Sequence, residues 1–270
     1  MAPFKGYIQS VGSNAAPLPP SMPLTHVAGW EIFQEILQSG KLVPQKDSLF
    51  QKDLVYFFYG KAAYRPKEDP TQSRYLVDLD QLPACILLDG GRLQGRVGQV
   101  PFDTGGFFYG LLDPPLAGNN LTALSDYELH GDHDCLRRCV WAFYESNDGY
   151  FEERPRVSLL FPSGSDPVAR YYELIQTKRS DKFDDRGKTF EIRFDQEIPL
   201  NDQTVMKIVI PKGWIDDKNI SSLLVDLGIR KKVVYYIPYM GTFEEHLAVM
   251  RERVTGVLRE GGMLSKEDAF

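Results

Sequence analysis

Residues 56–65, Tyr-Phe-Phe-Tyr-Gly-Lys-Ala-Ala-Tyr-Arg, gather aromatic rings and two cations around a glycine at the end of an apolar run. Leu54, Val55 and the rings of Tyr56, Phe57, Phe58 and Tyr59 favour a strand, and Gly60 frees the backbone to turn. Tyr59, Lys61, Tyr64 and Arg65 then combine flat π faces with positive charge, which suits a ligand that has both an aromatic ring and phosphates. The plain alternative is a buried strand that ends in a snorkelling basic turn. Two other residues carry chemistry of their own. His26 stands in Leu24-Thr25-His26, just ahead of a helix. Glu191 lies in a strand over 189–194 that turns Phe190, Ile192 and Phe194 to one face and Glu191, Arg193 and Asp195 to the other. A carboxylate there could face a cleft, or stand on a solvated face.

Other constellations are weaker. Gly90, Gly91, Gly95 and Gly98 fit neither a dinucleotide fingerprint nor a phosphate loop, and no GxSxG elbow occurs. His130, Asp132, His133, Asp134 and Cys135 are all ligand types, but five within six residues at a helix start read more simply as a capping turn. No metal is expected.

Stepping from these residues to the chain that must hold them, 270 residues with 43% hydrophobic content suffice for one large domain. Lys and Arg total 31 against 37 Asp and Glu, so the net charge of -6 creates no global field for nucleic acid. Cys85, Cys135 and Cys139 are odd in number and lack CxxC spacing, which favours a reducing, cytoplasmic setting. No apolar stretch is long enough to span a membrane, and no export signal opens the chain. The expected organisation is a flexible arm over 1–22, a single domain over 23–260 and a tail over 261–270.

Trp30, Phe33, Ile36 and Leu37 predict a helix closed by Gly40, and strands follow at about 53–59 and 84–88. Residues 89–120 read as a long glycine- and aromatic-rich loop whose Phe102-Asp103-Thr104-Gly105 could border a site. Further on come a helix capped by Asp134, a strand over 156–161 and a helix opened by Asp166 and Pro167. The strand over 189–194 follows, then strands at 206–210 and 233–238 around a short helix over 221–227. Thr242 and Glu245 are spaced as a capping box for a final helix with Phe243, Leu247, Met250, Val254 and Val257 on its inner face. Strands and helices without regular alternation indicate α+β, one split mixed sheet with flanking helices.

Three segments in this order, Leu24-Thr25-His26 with its helix, Tyr56 to Arg65, and Asp185-Arg186-Gly187-Lys188-Thr189-Phe190-Glu191, resemble the ADP-ribosyltransferase fold, most closely the DarT-type nucleic-acid enzymes. The likeness spans residues 22–200. Ala28 stands where that family has a hydroxyl residue, and Lys61 where it often has arginine. The resemblance implies NAD as substrate and cleavage of the bond between nicotinamide and ribose. It implies Glu191 as the catalytic carboxylate, with His26 and Tyr64 beside it. Thr25, His26, Tyr59, Gly60, Lys61, Tyr64 and Arg65 would bind NAD. A macromolecular acceptor, nucleic acid or protein, is implied, with no membrane and with room for an inhibitory partner protein. Lys178, Arg179, Lys182, Arg186 and Lys188 form a basic stretch where an acceptor might dock, or a solvated loop. An NAD glycohydrolase and a non-catalytic nucleotide- or protein-binding domain are the alternatives.

Overall fold

A continuous apolar run with no alternation asks for burial on both faces of a sheet. Ala84–Leu88 meets that demand, with all five residues buried in a strand paired on both edges. The computed structural model describes residues 3–12, 17–64, 82–112, 115–116, 118–129, 134–157, 166–177, 186–239 and 241–266. Its strands are β1 (Leu24–Ala28), β2 (Lys41–Leu42), β3 (Gln45–Asp47), β4 (Lys52–Tyr59), β5 (Ala84–Leu88), β6 (Arg96–Val100), β7 (Glu191–Phe194), β8 (Ile198–Pro199), β9 (Val205–Pro211) and β10 (Val233–Tyr236). Its helices are α1 (Pro3–Gly12), α2 (Trp30–Ser39), α3 (Thr104–Phe108), α4 (Leu121–Ser125), α5 (Asp134–Tyr144), α6 (Asn147–Phe151), α7 (Asp166–Gln176), α8 (Lys212–Ile215), α9 (Lys218–Asp226) and α10 (Phe243–Glu260). The class is mixed α+β with a mixed sheet. The chain separates into two compact units: a sheet unit of residues 23–97 and 193–258, and a helical unit of residues 1–22, 98–192 and 259–270.

In the sheet unit the strands run in the order β10-β9-β5-β1-β4, continued by residues 193–194 of β7 and 96–97 of β6, and β3 pairs with β4. β10 is parallel to β9, whereas β5 is antiparallel to β9 and to β1, and β1 to β4. α2 forms where the sequence places it. Phe33, Ile36 and Leu37 are its buried face, and Gly40 ends it in a left-handed conformation at φ 66°. Trp214 of α8 packs against Trp30 and Phe33 at 4.7 and 5.3 Å. Thr242 and Glu245 close the expected box at the start of α10, the Thr242 N–H donating to Glu245 Oε2 and the Glu245 N–H to Thr242 Oγ1.

In the helical unit α1, α5 and α7 meet through rings. Phe4 stacks on Phe143 at 5.7 Å and sets its edge against Tyr171 at 5.4 Å. Residues 3–12 therefore differ from the expected loose arm: Phe4, Tyr7 and Ile8 recur at helical spacing and bury, which repays the ordering of α1. The prolines beyond it are held as well, since Arg137 Nε donates to the Pro19 carbonyl at 2.7 Å. Of the expected tail, the described residues 261–266 are tied down through Ser265, whose N–H and hydroxyl donate to Asp148. In the stretch read as one long loop, β6 and α3 form. Asp103 caps α3 by accepting from the Gly106 N–H at 2.6 Å. Arg156 and Val157 belong to no strand, and the rest of the strand expected over 156–161 lies outside the described residues.

Candidate functional site

Thr25 organises the turn that ends β4. It pairs with Phe58 in the β1–β4 ladder, and its buried hydroxyl lies 3.0 Å from the Phe58 carbonyl and 2.5 Å from the Lys61 carbonyl. Gly60, at φ 71°, takes the left-handed conformation the turn requires, and its N–H donates to the Pro23 carbonyl at 2.9 Å. The Lys61 N–H returns to the Tyr59 carbonyl at 2.8 Å, so two neighbouring segments fix this turn. Thr25, His26, Tyr59, Gly60 and Lys61 thus lie on two neighbouring strands and the turn that follows them.

Their side chains divide differently. Tyr59 is completely buried, so neither face of its ring is open for stacking, and Lys61 is buried too. Of the two readings of this strand end, Tyr59 follows the buried one. Tyr64 is half-buried, 5.9 Å from the Phe243 ring of α10, and burial raises its phenol above the ordinary range. Ala62, two residues earlier, accepts from Arg251 Nε at 3.3 Å. Arg65 lies outside the described residues.

His26 is half-buried, with Nδ1 3.0 Å from the Tyr56 carbonyl. A carbonyl only accepts, so Nδ1 carries the proton. Desolvation lowers the imidazole pKa and outweighs the opposing pull of that carbonyl, which favours the neutral ring with Nε2 as an acceptor. A neutral, oriented acceptor on a strand can take a hydrogen bond from a hydroxyl or an amide.

Glu191 opens β7 within the helical unit and is 2% exposed. Thr104, the first residue of α3, holds both of its oxygens: the backbone N–H donates to Oε2 at 3.0 Å and the hydroxyl to Oε1 at 2.7 Å. The segment over 102–105, read as able to border a site, thus meets this carboxylate through Thr104. Arg186 Nη1 stands 3.5 Å from Asp103 Oδ1. Lys188 is buried and donates to the carbonyls of Ile175 and Thr177 at 3.2 and 2.7 Å, closing the C-terminal end of α7 rather than offering charge to a ligand. Lys178, Arg179 and Lys182 lie outside the described residues, as do His130, Asp132 and His133. Asp134 pairs with Arg137 at 2.7 Å, and Cys135 is buried. Among the described residues no helix is long and apolar enough to cross a membrane, and no three His, Cys, Asp or Glu side chains gather as for a metal ion.

Comparison with protein-family models, with curated proteins and with solved structures finds no match to this chain.

Asn147 is a polar residue that the sequence does not single out, and Thr104 is singled out only as part of a segment that could border a site. Both are buried, and both act through hydrogen bonds to distant segments that composition does not register. The one local signal is capping chemistry, Asp103-Thr104-Gly105 and Ser146-Asn147-Asp148-Gly149 each opening a short helix.

Proposed function

We propose that the chain is an NAD-dependent ADP-ribosyltransferase of the DarT-like class. The observation that carries this reading is the β1–β4 arrangement: a neutral His26 with its proton fixed on Nδ1, one residue from the Thr25 hydroxyl that pins the Gly60–Lys61 turn.

In this scheme Nε2 of His26 accepts a hydrogen bond from a ribose hydroxyl or the nicotinamide amide, fixing the sugar for attack. Tyr64 stacks on the nicotinamide ring, the role closed to Tyr59 by its burial. Arg65, or Lys61 if its buried ammonium turns outward, answers the pyrophosphate, and Thr25 and Gly60 shape the backbone beneath it. The bond between ribose C1′ and the nicotinamide nitrogen breaks with its electron pair leaving on nicotinamide. Positive charge grows on the sugar, and the Glu191 carboxylate stabilises it through the ribose hydroxyls. An acceptor nucleophile then bonds to C1′ and loses its proton; water in that place gives a glycohydrolase.

The burial of Glu191 and its bonds to Thr104 favour a second reading, nucleotide binding without turnover. Purified protein incubated with labelled NAD, with and without cell lysate, separates the two. Released nicotinamide that falls at least about a hundredfold in Glu191→Gln supports catalysis, and label on nucleic acid or protein identifies the acceptor. NAD binding without release supports the second reading. Absence of NAD binding by calorimetry overturns both.

A further inference from the structure

β10 ends the sheet: β9 pairs with one of its edges, and among the described residues no strand lies beyond the other. In a parallel pair alternate residues commit their backbone groups to the neighbour, so the remaining N–H and C=O groups of β10 point away from the sheet. Val233, Val234, Tyr235, Tyr236 and Ile237 are all β-branched or aromatic, and the register with β9 is unbroken over Val233–Tyr236. Native edges are ordinarily blunted by a charge, a proline, a bulge or a covering element. Here no charge lies within the run, and Pro238 comes only after it.

Tyr236 fixes which way the strand faces, being 3% exposed with its hydroxyl donating to the Pro83 carbonyl at 2.8 Å. Tyr235 and Ile237 therefore stand on the other side, 46% and 63% exposed, and Tyr239, at the same period of two, is 48% exposed. Free backbone groups beside a stripe of large side chains are what an added strand needs. Charge selects the occupant. Residues 205–239 hold six Lys and Arg against three Asp, so this part of a chain of net charge -6 is locally positive. Lys231, just before β10, is exposed and has no ion-pair partner among the described residues, and Lys212 Nζ stands 6.0 Å from the Tyr235 ring. Lys232 already pairs with Asp202 at 3.0 Å, and Asp217 is taken up in capping α9. A second copy of this chain fits less well: a four-residue edge is about 13 Å long, too short for the roughly 800 Å² per partner of a stable interface between folded proteins.

We infer that β10 is the docking edge for an extended, acidic segment of another protein. The segment adds as one further antiparallel strand, the more stable ladder, with apolar side chains against Tyr235 and Ile237. That direction carries its C-terminal end past Lys231, where its carboxylates belong. The surface lies within the sheet unit and is independent of the proposed NAD chemistry, because none of its residues is assigned to NAD.

The peptide Thr-Val-Tyr-Val-Thr-Glu-Glu, acetylated and amidated, titrated into the full-length, isotope-labelled protein tests this by NMR. The expected result is saturable binding with shifts centred on the amides of residues 233–237 and cross-strand contacts between the peptide backbone and β10. N-methylation at alternate peptide residues separates strand addition from adhesion to an apolar patch: one set of positions faces β10 and abolishes binding, and the other faces solvent and leaves it. Replacing both glutamates by glutamine should weaken the peptide about threefold at low salt. Lys231→Glu, at an exposed position, should weaken the glutamate peptide by a similar factor and strengthen a version ending in Lys-Lys. No saturable shift, shifts centred elsewhere, equal effects of the two N-methylated sets, or equal affinity of the glutamate and glutamine peptides would each overturn the inference. Concentration-dependent dimerisation abolished by Tyr235→Lys would overturn it too, giving the edge to a second copy.

Discussion

Thr104→Val is the most direct probe of why Glu191 is buried. Valine keeps the volume of threonine and the backbone N–H at 3.0 Å from Oε2, but deletes the hydroxyl that donates to Oε1 at 2.7 Å. A hydrogen bond to a charged group contributes about 1.5–3 kcal/mol, so losing this one should cost within that range. No cavity term is added, since nothing shrinks. Thr104→Ser supplies the contrast: it restores the donor and loses one methyl, about 1 kcal/mol. Urea unfolding should therefore rank wild type, Ser and Val in falling stability. In a Glu191→Gln background the valine change should cost at least about 1 kcal/mol less, because the acceptor is no longer charged. A Val variant with the wild-type midpoint, or a Ser variant no better than Val, would refute the assignment of that hydroxyl as a holder of the carboxylate.

Phe4→Ala empties a fully buried position between α5 and α7 and should cost about 3–5 kcal/mol by denaturant unfolding, a loss that a loose arm would not show. Lys188→Met removes donors from the Ile175 and Thr177 carbonyls and should lower stability by about 1–3 kcal/mol, with faster amide exchange over 171–177. His246 is 1% exposed with neither ring nitrogen bonded, and desolvation lowers its pKa despite the opposing pull of Glu245. The unfolded ring takes up its proton near its ordinary pKa of about 6.5 while the folded ring does not, so stability falls as pH drops below that value toward the lower folded pKa. His246→Leu should flatten this acid-side slope, and an unchanged slope would assign it elsewhere. Gly60→Ala forces a side chain onto φ 71° and should cost about 1–2 kcal/mol by thermal unfolding.

Local chemistry was legible in the sequence and long-range partnership was not. The face of α2, the capping box of α10 and the run of β5 each follow from residues a few positions apart, where periodicity and capping act. The helix α1 escaped because the prolines at 17, 19 and 20 dominate the composition of the segment, although Phe4, Tyr7, Ile8 and Val11 recur at helical spacing. β6 and α3 were hidden by glycines, which signal turns without excluding short elements between them. The passage of the chain between two units inside β6 and β7 depends on contacts far apart in sequence, and no linker composition marks it.

Alternation in 189–194 predicts a face that carries Glu191 and Arg193, yet all four residues of β7 are buried. Period two reports only that side chains take opposite sides; solvent on the polar side is a further assumption. A charge that loses water must gain partners, and each does: Arg193 lies over the Phe50 ring at 4.2 Å within the sheet unit, and Glu191 meets Thr104 within the helical unit. Such partners serve structure and catalysis equally well, because the bonds that tie a carboxylate in place also orient it. Access to ribose, not hydrogen-bond capacity, therefore decides what Glu191 does. Glu191→Gln that folds and binds NAD but releases no nicotinamide makes the carboxylate catalytic. A Glu191→Gln variant that loses stability, with nicotinamide release following only the folded fraction, makes it a tie between β7 and α3.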